Sequence, residues 1–161
     1  MSWSRRAFVG LAALPLAGCF KPMLAEGGGA MAVRGRIALP EIDTRFSYHL
    51  VQSLETRLGR PGATEYRLVI QTALQDEGLA VSQDNDVTRI TTTATASWQL
   101  YQDGEPEPVL DGLARSQSGY NATSSLFATR QTRRDIERRL ARDLGERISR
   151  VILARADQLG S

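Results

Sequence analysis

Residues 88–101 alternate without a break. One set reads Ile90, Thr92, Ala94, Ala96, Trp98, Leu100; the other reads Arg89, Thr91, Thr93, Thr95, Ser97, Gln99, Tyr101. Successive side chains of a strand point to opposite faces, so this pattern is a long strand with one apolar and one hydroxyl-rich face. Threonine is at home in strands, which makes the second face a solvated or partner-facing sheet surface rather than a loop. The small alanines at mid-strand predict close packing of a helix on the apolar face. A sheet with one apolar face needs a cover, and the rest of the chain must supply it.

The flanking segments do so. Val33, Gly35, Ile37 and Leu39 alternate with Arg34, Arg36 and Ala38, predicting a first strand ended by Pro40. Asp43 or Thr44 caps a helix to about Leu58, with Phe46, Leu50, Leu54 and Leu58 recurring every four residues and Gly59-Arg60-Pro61-Gly62 stopping it. Tyr66, Leu68, Ile70, Thr72 and Leu74 form a second strand face, followed by a polar connection containing Asp84-Asn85-Asp86. Asp103-Gly104 marks a hairpin after the third strand, and a fourth returns from Val109 to about Tyr120. Ser124 or Ser125 caps a last helix to about Leu159, striped by Ile136, Leu140, Leu144 and Ile148 every four residues and continued by Val151, Ile152 and Leu159. Asp135–Arg139, Asp143–Arg147 and Glu146–Arg150 have ion-pair spacing on its exposed side. The expected fold is α+β: a two-layer sandwich in the order β-α-β-β-β-α, with a four-stranded, mostly antiparallel sheet covered on one face by two helices.

The front of the chain is of another kind. Arg5 and Arg6 precede an apolar run, Ala7 to Ala17, that ends in Leu16-Ala17-Gly18-Cys19. At about 1.5 Å per helical residue this run covers roughly half of a ~30 Å hydrocarbon core, too short to span it. It has the layout of a cleavable leader. Leu-Ala-Gly-Cys resembles the bacterial lipobox, which makes Cys19 the first mature residue and the site of a diacylglycerol and an N-acyl chain. A buried cysteine closing an N-terminal helix is the structural alternative. Ser4-Arg5-Arg6-Ala7-Phe8-Val9 also looks like a twin-arginine signal, and the export route stays open. Phe20 stands where lipoproteins retained in the inner membrane usually carry Asp, which by resemblance favours the outer membrane. The expected organisation is a leader over residues 1–18, a lipidated Gly-rich tether over 19–30, and one domain over 31–161.

Charge follows from that division. The whole chain has 20 basic and 18 acidic residues, and the leader holds two arginines and no acid, so the remainder balances at 18 of each. The chain's formal charge of +2 therefore belongs to the leader. Nucleic-acid binding needs a basic face and finds no support here. Lys21 is the only lysine, so anion contacts fall to guanidinium groups, which hold phosphate in bidentate fashion.

The chain reads as a non-enzyme that needs no cofactor. His49 is the only histidine, which excludes a multi-histidine metal site, and with Cys19 acylated no Cys/His pair is left. Gly27-Gly28-Gly29 lacks the strand and lysine of a phosphate loop, and no paired carboxylates stand out.

Several features converge on one family. Cys19-Phe20-Lys21-Pro22-Met23-Leu24 is similar to a Cys-Gly-Phe-x-Pro-Leu-Tyr start, without its glycine and with Met-Leu for Leu-Tyr. Tyr66-Arg67-Leu68 follows the first helix, and Gly119-Tyr120-Asn121 leads through Ser124-Ser125-Leu126-Phe127-Ala128 into the last. With the element order, these resemble the LptE family of outer-membrane lipopolysaccharide-assembly lipoproteins along essentially the whole chain. The resemblance implies a plug inside the LptD β-barrel, lipid-anchored at the outer membrane and facing the periplasm and barrel lumen, that assists barrel assembly and lipopolysaccharide delivery. It implies basic ligand contacts before the third strand and near the start of the last helix, where Arg89 and Arg130 stand; Arg115, Arg133 and Arg134 are close by. A lipid-anchored auxiliary subunit of another lipid or solute transport system would share the anchor and the layout.

Overall fold

Alternation and capping decide the elements of this chain, and the computed structural model describes them for residues 29–81, 87–121 and 126–159. In order they are α1 (Gly29–Val33), β1 (Ile37–Ala38), α2 (Arg45–Leu58), β2 (Tyr66–Val81), β3 (Val87–Gln102), β4 (Pro108–Asn121), α3 (Leu126–Ala154) and α4 (Ala156–Leu159). Cys19 lies outside the described residues, as do Ser124 and Ser125.

The four strands form one sheet in the order β1-β2-β3-β4. β2–β3 and β3–β4 are antiparallel, with Ile70 opposite Trp98 and Trp98 opposite Gly112; β1 runs parallel to β2. The even-numbered face is covered: Tyr66, Leu68, Ala94, Ala96, Trp98, Leu100, Leu110 and Ala114 are buried. The helical stripe Ile136, Leu140, Leu144, Ile148 and Ile152 is buried with them. α3 lies across β3 and β4, and α2 packs on α3. At 29 residues α3 is about 43 Å long, enough to run the length of the sheet. The alanines predicted to admit a helix do so: Ala94 and Ala96 are wholly buried.

α2 begins at the expected cap. The Thr44 hydroxyl accepts from the Ser47 N–H at 3.0 Å, and the Ser47 hydroxyl accepts in return from the Thr44 N–H at 2.9 Å. It ends at Gly59, whose φ of 83° lies in the left-handed region.

Three expectations need correction. The strand predicted over Val33–Leu39 shrinks to Ile37–Ala38. Val33 and Ile37 are four apart, a spacing that suits a helix as well as a strand, and Val33 is buried in α1. Between them Gly35 turns the chain at φ 75° and donates its N–H to the Leu58 carbonyl at 2.8 Å, closing the end of α2. Gly29 and Ala30, the end of the expected tether, belong to α1. There the Gly29 N–H donates to Asp157 Oδ1 at 3.0 Å, joining the two ends of the domain. Finally, β2 does not stop near Leu74 but continues to Val81, paired with β3 and shifted in register around Ala80.

The exposed side of α3 is wired differently from its i,i+4 spacing. Asp143–Arg147 forms at 2.9 Å, but Asp135 pairs with Arg138 at 2.9 Å and Glu146 pairs with Arg57 of α2 at 3.2 Å. The last of these ties the two helices together.

Candidate functional site

The second sheet face carries no layer of described residues. Its odd-numbered positions include exposed Gln71, Gln75, Ser97, Gln99, Asp111 and Gln117, with Thr91, Thr93 and Thr95 half-buried among them. The Arg67 guanidinium stacks 5.0 Å from the centre of the Tyr101 ring, a cation–π contact between paired residues of β2 and β3. One sheet thus presents a dry face to α3 and a hydroxyl- and amide-rich face to whatever lies outside.

Arg89 belongs to this open face. It stands near the start of β3, opposite Asn121 of β4 and Ala80 of β2, and is exposed. Its Nε lies beside Gly119 of β4, in ordinary contact range of that position.

Arg130 is exposed in the second turn of α3. It lines a shallow pocket of about 200 Å³ with Phe127, Gln131 and Arg134. α3 starts five residues beyond Asn121, so Arg89 and Arg130 share one end of the molecule. They do not share a pocket: Arg89 is on the open face, and Arg130 is on the helix that covers the other. Phe127, which the sequence offered only as part of a family segment, is 78% exposed beside Arg130 and Arg134. An exposed aromatic ring thus stands among two guanidinium groups at this end of α3.

Arg133 has a structural task instead. It reaches Asp76 Oδ2 at 3.0 Å and Glu137 Oε1 at 3.0 Å, while the buried Thr92 hydroxyl donates to Asp76 Oδ1 at 2.7 Å. The Asp76 carboxylate, with Glu137, raises the Arg133 pKa and fixes its charge. Arg133 therefore bolts α3 to β2. A second bolt sits lower on the helix: the buried Ser116 hydroxyl donates to Asp143 Oδ2 at 2.5 Å, and Arg147 Nε donates to the same oxygen at 2.9 Å. Burial alone would raise the Asp143 carboxyl, but Ser116 and Arg147 together outweigh it and hold the pKa below its ordinary value.

His49 is half-buried on α2. Its Nδ1 is enclosed without a hydrogen-bond partner, and its ring meets Tyr48 edge-on at 5.3 Å. Burial, then the charges of Arg142 and Arg138, lower its pKa, so the neutral ring is favoured. Among the described residues no group of three or more His, Cys, Asp or Glu side chains could hold a metal, and no helix is long and apolar enough to cross a membrane.

Fold and surface together define a two-layer α+β sandwich with an open polar sheet face and an arginine-bearing end. The profile of the LptE family, described as lipopolysaccharide-assembly, matches residues 32–152, and the chain belongs to that family. It is accordingly a bacterial outer-membrane lipoprotein of lipopolysaccharide assembly.

Solved structures share the fold. A lipoprotein of Caulobacter crescentus superposes with a TM-score of 0.64 at 16% identity, over 80% of this chain and 96% of that one. Rare lipoprotein B of Shewanella oneidensis gives 0.62 at 8% identity, over 78% and 97%. A minor lipoprotein of Acinetobacter baumannii gives 0.57 at 16% identity, over 73% and 88%. Comparison with curated protein sequences gives no match.

Proposed function

We propose that the domain occupies the lumen of an LptD-type β-barrel as its plug, tethered to the outer membrane by acyl chains on Cys19 and directed toward the periplasm. The observation that carries this reading is the division of a single sheet into a face buried under α3 and a bare face of Thr, Ser and Gln. A porin-like lumen is lined by polar side chains and water, and such a face meets it without burying unsatisfied polar groups. The apolar layer is used up inside the plug itself, which keeps the domain rigid within the barrel.

Lipopolysaccharide is the second partner in this proposal. Its phosphates attract guanidinium groups, which bind them through paired, charge-assisted hydrogen bonds. Arg89 meets the ligand from the open sheet face and Arg130, with Arg134, from the start of α3. Phe127 offers apolar surface to the acyl part. No catalytic step is involved; the protein binds, orients and hands on.

Photo-crosslinking tests the placement. A photoreactive residue introduced at Thr93 or Gln117, both on the open face, is expected to yield an adduct with the barrel in intact cells. Failure of both positions to capture a barrel, with robust labelling from exposed helical positions such as Arg139, overturns this orientation.

A further inference from the structure

One flank of the molecule is built differently from the end that carries Arg89 and Arg130. β4 is the last strand of the sheet, and between its edge and the second half of α3 lies a groove of about 370 Å³. Arg115 of β4, Arg147 and Arg150 of α3, and Arg155 at the α3–α4 junction all line it, against one carboxylate, Asp111. Arg115 and Arg155 form no ion pair among the described residues, and Arg150 feels the Asp143 carboxylate only from beyond salt-bridge distance; Arg147 uses only Nε on Asp143, which leaves its terminal nitrogens to donate.

The floor of the groove carries a donor as well. Gly112 has no side chain to block the Trp98 indole: a Cβ there would lie 2.7 Å from Cζ2 and 3.0 Å from Nε1. The ring therefore extends across β4 to the sheet edge and lines the groove. Trp98 is 2% exposed, and its Nε1 edge lies against the Gly112 backbone at the sheet edge. Beside this polar set stand Leu113, 73% exposed, and Val151. Four guanidinium groups, an indole edge and adjoining apolar side chains are the complement of a phosphate joined to a lipid.

We infer that this groove is a second phosphate-binding site for an amphiphile, separate from the Arg89 and Arg130 end. That the amphiphile is lipopolysaccharide rests on the function proposed above; the phosphate chemistry comes from the groove. Two separate arginine sites on one domain let it hold a large phosphorylated glycolipid at two points, or pass it from one to the other.

Trp98 reports on the site directly. Trp3 is the only other tryptophan, so a chain starting at Cys19 has a single indole. That protein, purified in detergent, is titrated with lipopolysaccharide lacking O-antigen and with the same material dephosphorylated, and Trp98 emission is followed. The phosphorylated form is expected to shift the emission saturably, and the dephosphorylated form to bind about tenfold more weakly. The Arg150→Gln/Arg155→Gln double variant, with unchanged circular dichroism and melting, should bind the phosphorylated form about tenfold more weakly and lose most of the Trp98 emission shift. Unchanged affinity in the double variant, with binding weakened by Arg89→Glu, overturns the groove and leaves the proposed function standing. No binding by the unaltered protein overturns both. An equal emission shift with inorganic phosphate alone reassigns the groove to a free anion and overturns the amphiphile. Loss of a co-purifying barrel with unchanged lipopolysaccharide affinity reassigns it to a protein strand and overturns it too.

Discussion

Gly145 of α3 sits directly against Ser53 of α2, so close that a Cβ on the glycine would lie 2.7 Å from the serine Cβ and 3.0 Å from the Leu50 carbonyl oxygen. The Ser53 hydroxyl donates to the Arg142 carbonyl at 2.9 Å across the same crossing. A glycine inside a helix costs about 1 kcal/mol relative to alanine, and here the close approach outweighs that. Gly145→Ala is expected to destabilise the domain by about 1–2 kcal/mol despite its better helix propensity. Adding Ser53→Gly should recover part of the loss, a coupling that chemical denaturation of the single and double variants measures. A more stable single variant contradicts the crossing.

The Ser116–Asp143–Arg147 bolt has a signed pH dependence. Because the folded carboxyl titrates below its ordinary value of 3.8, Asp143 contributes stability that is complete above that value and is lost as pH falls through the lower folded pKa. Asp143→Asn should lower the melting temperature at pH 7. The gap between variant and parent should close as the pH is taken down from 3.8 through the lower folded pKa. A gap that is constant with pH contradicts a charge-dependent bolt.

The arginines at the far end of the sheet divide by task. Arg133→Ala leaves Asp76 and the buried Thr92 without their cation, and is expected to destabilise the domain by about 1–3 kcal/mol. Arg89→Glu and Arg130→Glu, at exposed positions, should leave the melting temperature within about 2 °C and instead weaken lipopolysaccharide binding about tenfold each. Thermal melts run beside a binding titration separate the two groups. Equal binding by all variants removes this end from the ligand site.

Cys19→Ala is expected to abolish acylation and release the protein from the outer-membrane fraction. Mass spectrometry of the mature N-terminus checks it: the parent should carry the acyl groups on Cys19. An unmodified cysteine in the parent contradicts the anchor.

How far the sequence could be read depended on whether the forces were local. β3 was legible because both of its faces obey one period over more than a dozen residues. α2 was legible because Thr44 caps it and its apolar residues recur every four. Val33–Leu39 was misread because its apolar spacing fits both periods, and only the turn at Gly35 decides between them. The far half of β2, Gln75-Asp76-Glu77-Gly78, has little strand preference and is held by pairing with Ile90–Thr93. Glu146 had an i+4 arginine available and took Arg57 of another helix instead. The candidate site shows the same limit. Arg89 and Arg130 are candidates through a family resemblance alone, whereas the Arg133 bolt and the groove at Trp98 depend on residues dozens of positions apart.

The plug itself is the central claim, and co-purification tests it most directly. The tagged full chain, recovered from gently solubilised outer membranes, should bring down one large β-barrel protein in about equal amount. Recovery of the chain alone, from membranes in which the barrel is present and folded, would contradict it.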